Sequence, residues 1–333
     1  MAAPGREVDV VIVGGGPAGL SAALVLGRAR RRVVLFDHGR YRNAASRRMH
    51  GYLSRDGIPP AALLEVGRRE VLAYGVSIRR EEVARIVPVG TRGKRTAFQV
   101  SLQRGRPVSA KKILLATGVV DRIPPIPGIE SFYGISVHHC PYCDGWEWRD
   151  RRLACYGRGA SGEALAHALL TWSRDLVLLT DGASRLSPAE LAELRSRGVE
   201  VIRNRVVGLE GPAGRLRRVL LRGRAPLERD ALFFSTGNDQ SCDLAVRLGC
   251  RLTLKAAIRT NRRERTNVPG VYVAGDASWD VQFVVVAAAE GAKAAVAINR
   301  ELQAEERVLA AENRGIRVAP HRPSRIGNGA RKH

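Results

Sequence analysis

The feature that most constrains this chain is a glycine turn held between two apolar runs. Val8 to Val13 is β-branched at every position but Asp9, and it ends in Gly14-Gly15-Gly16-Pro17-Ala18-Gly19. A helical stretch is expected over Leu20 to Ala29, and a second apolar run, Val33 to Phe36, ends at Asp37. Strand, glycine turn, helix, strand and acidic residue, in that order, make a dinucleotide-binding unit. Gly14 permits the tight turn, Gly16 lets backbone approach a pyrophosphate, and Gly19 lets the helix pack closely on the strand. Pro17 and Ala18 lead into the helix, whose N-terminal amides and positive dipole end face the phosphates. Asp37 is placed to bond a ribose hydroxyl.

A second unit follows near the middle of the chain. Leu153 to Tyr156 reads as a strand, Gly157-Arg158-Gly159-Ala160-Ser161-Gly162 as the turn, and a helix should run through Trp172. The next strand, Leu176 to Leu179, ends at Thr180-Asp181. Gly157, Gly159 and Gly162 thus take the glycine positions and Asp181 the acidic one. Arg158 and Glu163 crowd the phosphate zone, so a retained fold with a lost ligand competes with a working site. A protein with two such units usually pairs a flavin with a nicotinamide.

The length of 333 residues suits about two domains. Hydrophobic residues at 45% and charged residues at 26% exclude a disordered or fibrous chain. No apolar run is long enough for a transmembrane helix, and the N-terminus reads as a first strand rather than a signal peptide. The expected compartment is the cytoplasm, where thiols stay reduced. The net charge of +23 attracts acidic partners and nucleic acid non-specifically. Its basic residues are scattered, except in a tail at 313–333 that should be disordered, so no dedicated nucleic-acid role is expected.

Three further segments frame the two units. Ala116-Thr117-Gly118 and Ser235-Thr236-Gly237 each end a strand at a glycine turn. Thr266-Asn267-Val268-Pro269-Gly270-Val271-Tyr272-Val273-Ala274-Gly275-Asp276 leads into a helix expected over Gln282 to Leu302. GGGPAG, ATG and TxxPGxYxAGD in this order resemble the flavoprotein disulfide reductases with two dinucleotide domains. The resemblance implies an α/β fold with two Rossmann-like domains, the second inserted in the first. An FAD domain would comprise residues 1–120 and 244–312, with an NAD(P) domain at 121–243. It implies flavin contacts from Gly275, Asp276, Gln282 and Phe283 as well as Ala116, Thr117 and Gly118.

His138-His139-Cys140-Pro141-Tyr142-Cys143-Asp144-Gly145 is the chemical centre. A zinc site needs two more ligands at paired spacing, and Cys155, Cys242 and Cys250 offer no second pair, so no metal is expected. A glutaredoxin-like CPYC belongs near the start of a small domain, and a structural disulfide is disfavoured by a reducing compartment. The remaining reading is a redox-active dithiol. The motif should start a helix, where a thiol pKa falls from about 8.5 toward roughly 3.5–7.5. Cys155 should begin a core strand, and Cys242 and Cys250 should lie on an amphipathic helix, all three as inert packing. A pair placed after ATG and before the second glycine loop resembles low-molecular-weight thioredoxin reductase. That likeness implies Cys143 nearer the flavin, Cys140 meeting the substrate disulfide, and Asp144 as proton donor. It also implies a homodimer.

Two departures matter. Thr180-Asp181-Gly182 stands where that family places a basic cluster for the 2′-phosphate, which favours NADH over NADPH. Met49-His50-Gly51-Tyr52-Leu53-Ser54-Arg55-Asp56-Gly57 resembles the dithiol oxidases of gliotoxin- and holomycin-type products, in which a histidine at the place of His50 contacts the flavin. The leading function is therefore passage of electrons from NAD(P)H through FAD and the CxxC pair to a thioredoxin-like protein or small-molecule disulfide. The alternatives are a dithiol oxidase using oxygen, a reductase fed by ferredoxin as an acidic electron carrier, and a basic flavin-binding redox sensor.

Overall fold

The computed structural model describes residues 7–92, 95–278 and 281–314. Its first sheet runs in the order Ser77–Arg79, Val33–Phe36, Val8–Val13, Val108–Leu115, all parallel. The antiparallel strands Arg95–Leu102 and Val83–Arg92 continue it along the early half of Val108–Leu115, while Val271–Val273 pairs with the late half. A chain segment more than 150 positions downstream thus completes the sheet begun at the N-terminus. The alternation of side chains divides the core. Val10, Ile12, Leu35 and Leu114 face the helices Pro17–Arg28 and Val284–Glu312. Val11, Val13, Phe36 and Leu115 face the other side.

The second sheet is wholly parallel, ordered Glu200–Ile202, Leu176–Leu179, Leu153–Tyr156, Ala231–Phe234, Val137–His138. A small antiparallel sheet of Val206–Glu210, Arg218–Leu221 and Leu227–Glu228 accompanies it. The two halves are linked by an antiparallel ribbon in which Val119–Asp121 pairs with Asn238–Gln240. The arrangement is the expected pair of Rossmann-like sheets, the second inserted in the first.

Several element ends differ from expectation. The first helix begins at Pro17, because proline suits the first helical turn, where its missing N–H is not needed. The last helix spans Val284–Glu312, well beyond Leu302. No proline or glycine interrupts its second half, and Arg31 ties that half down by bonding Asn299 Oδ1 at 2.6 Å and pairing with Glu306. Close approach of the first and last helices requires Gly291, whose added Cβ would lie 2.0 Å from the Ala18 carbonyl oxygen. The helix Gly159–Leu169 stops short of Trp172. Cys155 is the third residue of its strand rather than the first, and burial pushes its thiol pKa up. Cys242 and Cys250 flank the short helix Leu244–Arg247 instead of lying on it, since that helix has only 4 residues. The expected disordered tail lies, from residue 315 onward, outside the described residues. Among the described residues no helix is long and apolar enough to cross a membrane.

Candidate active site

The first glycine turn is built by close packing. Gly14 has φ of +110°, and an added Cβ there would lie 2.1 Å from the Ala116 carbonyl oxygen. A Cβ on Gly19 would lie 1.9 Å from the Gly14 carbonyl oxygen, and one on Gly15 would lie 2.3 Å from Asp37 Oδ2. Gly16 is the exception. Its Cβ would meet nothing within 4 Å, so the one glycine expected to admit a pyrophosphate is the one whose missing side chain faces open space.

That space is a cavity of about 550 Å³. It is lined by Gly14, Gly16, Pro17, Ala18, Asp37, His50, Ala116, Thr117, Gly118, Gly275, Asp276, Gln282 and Phe283, and by Cys143 and Asp144 from the inserted half. Of the residues expected at the flavin, Gly19 alone is not in the lining, because it packs beneath the turn. Asp37 accepts a bond from the Gly39 N–H at 2.9 Å and is met by the Tyr41 hydroxyl. Burial and the Asp37 carboxylate push the Tyr41 hydroxyl pKa up to about 12. Glu290, buried on the last helix, accepts from the Gly275 N–H at 2.6 Å and Ser278 Oγ at 2.9 Å, which fixes the turn that carries Asp276.

Arg42 organises the cavity floor. It pairs with Asp121 through two nitrogens and donates at 2.8 Å to both Asp276 Oδ2 and Gln282 Oε1. Burial disfavours its charge, but Asp121 and Asp276 outweigh this and raise its pKa. Tyr133 donates to Asp121 at 3.3 Å and lies 3.2 Å from His139 Nδ1. Burial lowers the His139 pKa against the opposing pull of Asp121. Sequence reading missed Arg42, Tyr41, Tyr133 and Glu290. In a chain this rich in arginine, nothing in the local pattern marks Arg42 apart.

Cys140 and Cys143 form a disulfide with Cα atoms 5.3 Å apart. The motif starts the short helix Pro141–Asp144, and Cys140 Sγ accepts the Cys143 N–H at 3.1 Å. Asp144 Oδ1 lies 3.3 Å from Nδ1 of buried His138. The other ring nitrogen of His138 accepts the Trp148 indole N–H at 3.0 Å. That acceptor role leaves the histidine proton on Nδ1, facing Asp144. His50 lies 3.4 Å from Asp56 and 3.5 Å from Glu147, which follows the cysteine motif, so it spans the two halves at the cavity rim.

In the second glycine turn, as at Asp37 in the first, the acidic residue is engaged by its own chain. Asp181 Oδ1 accepts the Val206 N–H at 2.8 Å, and Oδ2 accepts the Tyr156 hydroxyl at 3.1 Å and pairs with Arg158 at 3.2 Å. The expected ribose acceptor is therefore engaged by its own chain. Glu163, His167 and Glu193 also gather within 4.8 Å. The Arg197 guanidinium donates to His167 Nδ1 at 2.9 Å, which puts the ring proton on Nε2, toward the carboxylates, and makes the group a hydrogen-bonded surface cluster.

Two dinucleotide turns, a cavity spanning both halves and a disulfide at its edge define a flavin-dependent disulfide oxidoreductase. The sequence pattern of the pyridine nucleotide-disulphide oxidoreductases matches residues 8–291, and the chain belongs to that family. It is 32% identical over 331 residues to a probable thioredoxin reductase of Arthroderma benhamiae, covering 91% of this chain and 82% of that protein. The crystal structure of HlmI superimposes with a TM-score of 0.88 at 38% identity, covering 93% of this chain and 98% of HlmI. A putative thioredoxin reductase TrxB of Bacillus anthracis gives 0.84 at 33% identity, over 90% and 99%. The chain is thus a thioredoxin reductase-like NAD(P)H-dependent FAD disulfide oxidoreductase.

Proposed function

We propose that the chain reduces a thioredoxin-like protein or a small-molecule disulfide through Cys140 and Cys143. The observation that carries this reading is the lining of one cavity by the first glycine turn, Asp276, Cys143 and Asp144 together. Gly16 and Asp37 would hold FAD in that cavity, where it would supply two-electron chemistry between NAD(P)H and the disulfide. The chain's own groups do the rest. Uptake of two electrons and two protons opens Cys140–Cys143 to a dithiol. The Cys140 thiolate, favoured by the Cys143 N–H, attacks one sulfur of the substrate disulfide and expels the first substrate thiolate. The Cys143 thiolate then attacks Cys140, releases the second substrate thiol and restores the Cys140–Cys143 bond. Asp144, oriented by His138 Nδ1–H, is the carboxyl group that gives and takes the proton at this pair.

NADH is the preferred donor in this proposal, because a 2′-phosphate beside Asp181 meets like charge. The enzyme acts as a homodimer in the cytoplasm, where the dithiol can cycle. The test is anaerobic titration of the yellow protein with NADH and NADPH, followed by thioredoxin or an aromatic disulfide. Bleaching by nicotinamide with recovery on disulfide addition supports the reading. Bleaching by dithiols alone, with recovery only in air, overturns it in favour of an oxidase.

A further inference from the structure

The two glycine turns occupy equivalent positions in their sheets, and the comparison between them is informative. Gly14 N–H donates to the Phe36 carbonyl at 2.8 Å, and its counterpart Gly157 N–H donates to the Leu179 carbonyl at 3.1 Å. The next glycines diverge. The Gly16 N–H meets no backbone carbonyl among the described residues, whereas the Gly159 N–H donates to the Ser184 carbonyl at 2.8 Å. The loop after the second strand therefore folds back onto the glycine turn, with Asp181 at φ +50° and Arg185 at φ +58°. Arg158, inside the turn, reaches across the strand end. Its Nε donates to the Thr180 carbonyl at 2.6 Å, and its outer nitrogen meets both the carbonyl and the carboxylate of Asp181. The Ser184 carbonyl thus occupies the Gly159 amide, and Arg158 occupies the carboxylate that a ribose would use.

We propose that Arg158 is a gate on the second dinucleotide cradle, so that a nicotinamide dinucleotide enters only after the guanidinium leaves Asp181. This rests on the nicotinamide-dependent reading above and adds its control. Opening costs the same for NADH and NADPH. Once Arg158 is gone, Asp181 keeps its bonds from the Val206 N–H and the Tyr156 hydroxyl, but the lone pair that Arg158 held is free to accept a ribose hydroxyl, and the unpaired charge repels a 2′-phosphate. Removing the gate therefore strengthens NADH binding more than NADPH binding, which simple loosening of the loop would not do.

The experiment uses Arg158→Ala in the flavin-loaded enzyme. Arg158 is 41% exposed at its side chain and its side chain does not cap the helix, so flavin content and fold should be retained. Binding of NADH and NADPH is measured by calorimetry on the oxidised protein, and flavin bleaching by anaerobic stopped flow. The expected result is NADH affinity increased about tenfold, NADPH affinity less so, and faster bleaching by NADH. The double variant R158A/D181N should lose the difference between the two dinucleotides. Unchanged binding in R158A alongside a wild type readily bleached by NADH overturns the gate and leaves the reductase reading standing. Failure of both proteins to bind or be bleached by either dinucleotide, with dithiols still bleaching, overturns both. Equal gains for NADH and NADPH also overturn the gate.

Discussion

Gly16→Ala and Gly19→Ala place the same methyl group three positions apart in one turn, and they should fail in different ways. At Gly16 the added Cβ meets no protein atom within 4 Å, and the φ of −75° suits alanine. Losing glycine at the helix N-cap costs about 0.5–1 kcal/mol. The reduced entropy of the unfolded chain returns about 0.4–1 kcal/mol. These offset, so the flavin-free protein should melt as the wild type does. The methyl group, however, stands where backbone must approach the pyrophosphate, and FAD affinity should fall by about 100-fold, or about 2.8 kcal/mol. At Gly19 the Cβ would lie 1.9 Å from a backbone oxygen and 3.4 Å from Ile12 Cγ2. Helix propensity returns about 1 kcal/mol, but overpacking against rigid backbone costs about 1–3 kcal/mol, and a contact this short belongs at the upper end. The net loss of about 1–2 kcal/mol should lower the melting temperature of the flavin-free protein by roughly 1.5–3 °C. Calorimetry of the stripped proteins and a fluorescence titration with FAD separate the two outcomes. Wild-type FAD affinity in Gly16→Ala, or an unshifted melting temperature in Gly19→Ala, would refute the assignment of roles within the turn.

Cys140→Ser and Cys143→Ser should each abolish disulfide reduction while the protein stays yellow, because the flavin-cavity contacts lie almost entirely outside the cysteine motif; full turnover by either variant removes the pair as the relay. Arg42→Ala leaves Asp121 and Asp276 facing one another without their cation, a change worth about 3 kcal/mol. Its melting temperature should drop by several degrees and partly recover in R42A/D121N, and an unshifted R42A would count against the buried network. The neutral form of His139 is favoured by burial, so its folded pKa lies below its unfolded value near 6.5. Stability from this group is complete above that value and declines as pH falls through it toward the folded pKa. Melting curves from pH 7.5 to 5 should therefore fall less steeply for His139→Gln than for wild type; parallel curves would rule out the histidine.

Much of this was legible in the sequence because glycine turns and apolar strands follow local rules. Val8–Val13, Val33–Phe36, Leu153–Tyr156 and Leu176–Leu179 begin and end where their apolar runs do. Helix ends were less visible. Pro17 extends the first helix forward, and the tertiary partners of Arg31 stabilise the last one past Leu302. The cavity lining was read well where backbone geometry demands glycine, and poorly where a side chain acts through distant partners. Arg42, Asp121 and Asp276 come together from three separate segments, so no local window contains their relation. Asp181 shows the opposite error. Its position was read correctly, but its bonds to Arg158, Tyr156 and Val206 depend on a loop fold that spacing does not reveal.

The ribbon of Val119–Asp121 and Asn238–Gln240 also governs the order in which the chain can fold. The strand Val271–Val273 must find Ile113 to Leu115 across the whole inserted half. As a free coil, that intervening segment is a closed loop of well over a hundred residues, and each doubling of loop length costs about 0.6 kcal/mol. If the inserted half collapses first, its two ends meet at the Asn238 to Asp121 pairing. The remaining loop is then about 35 residues, Leu115 to Val119 on one side and Gln240 to Val271 on the other, and closing it is easier by about 1.3 kcal/mol. The inserted half should gain hydrogen-exchange protection before the last strand docks, and the N-terminal sheet should wait for it. Nascent chains halted before residue 271 would then hold a formed second sheet beside an unfinished first one.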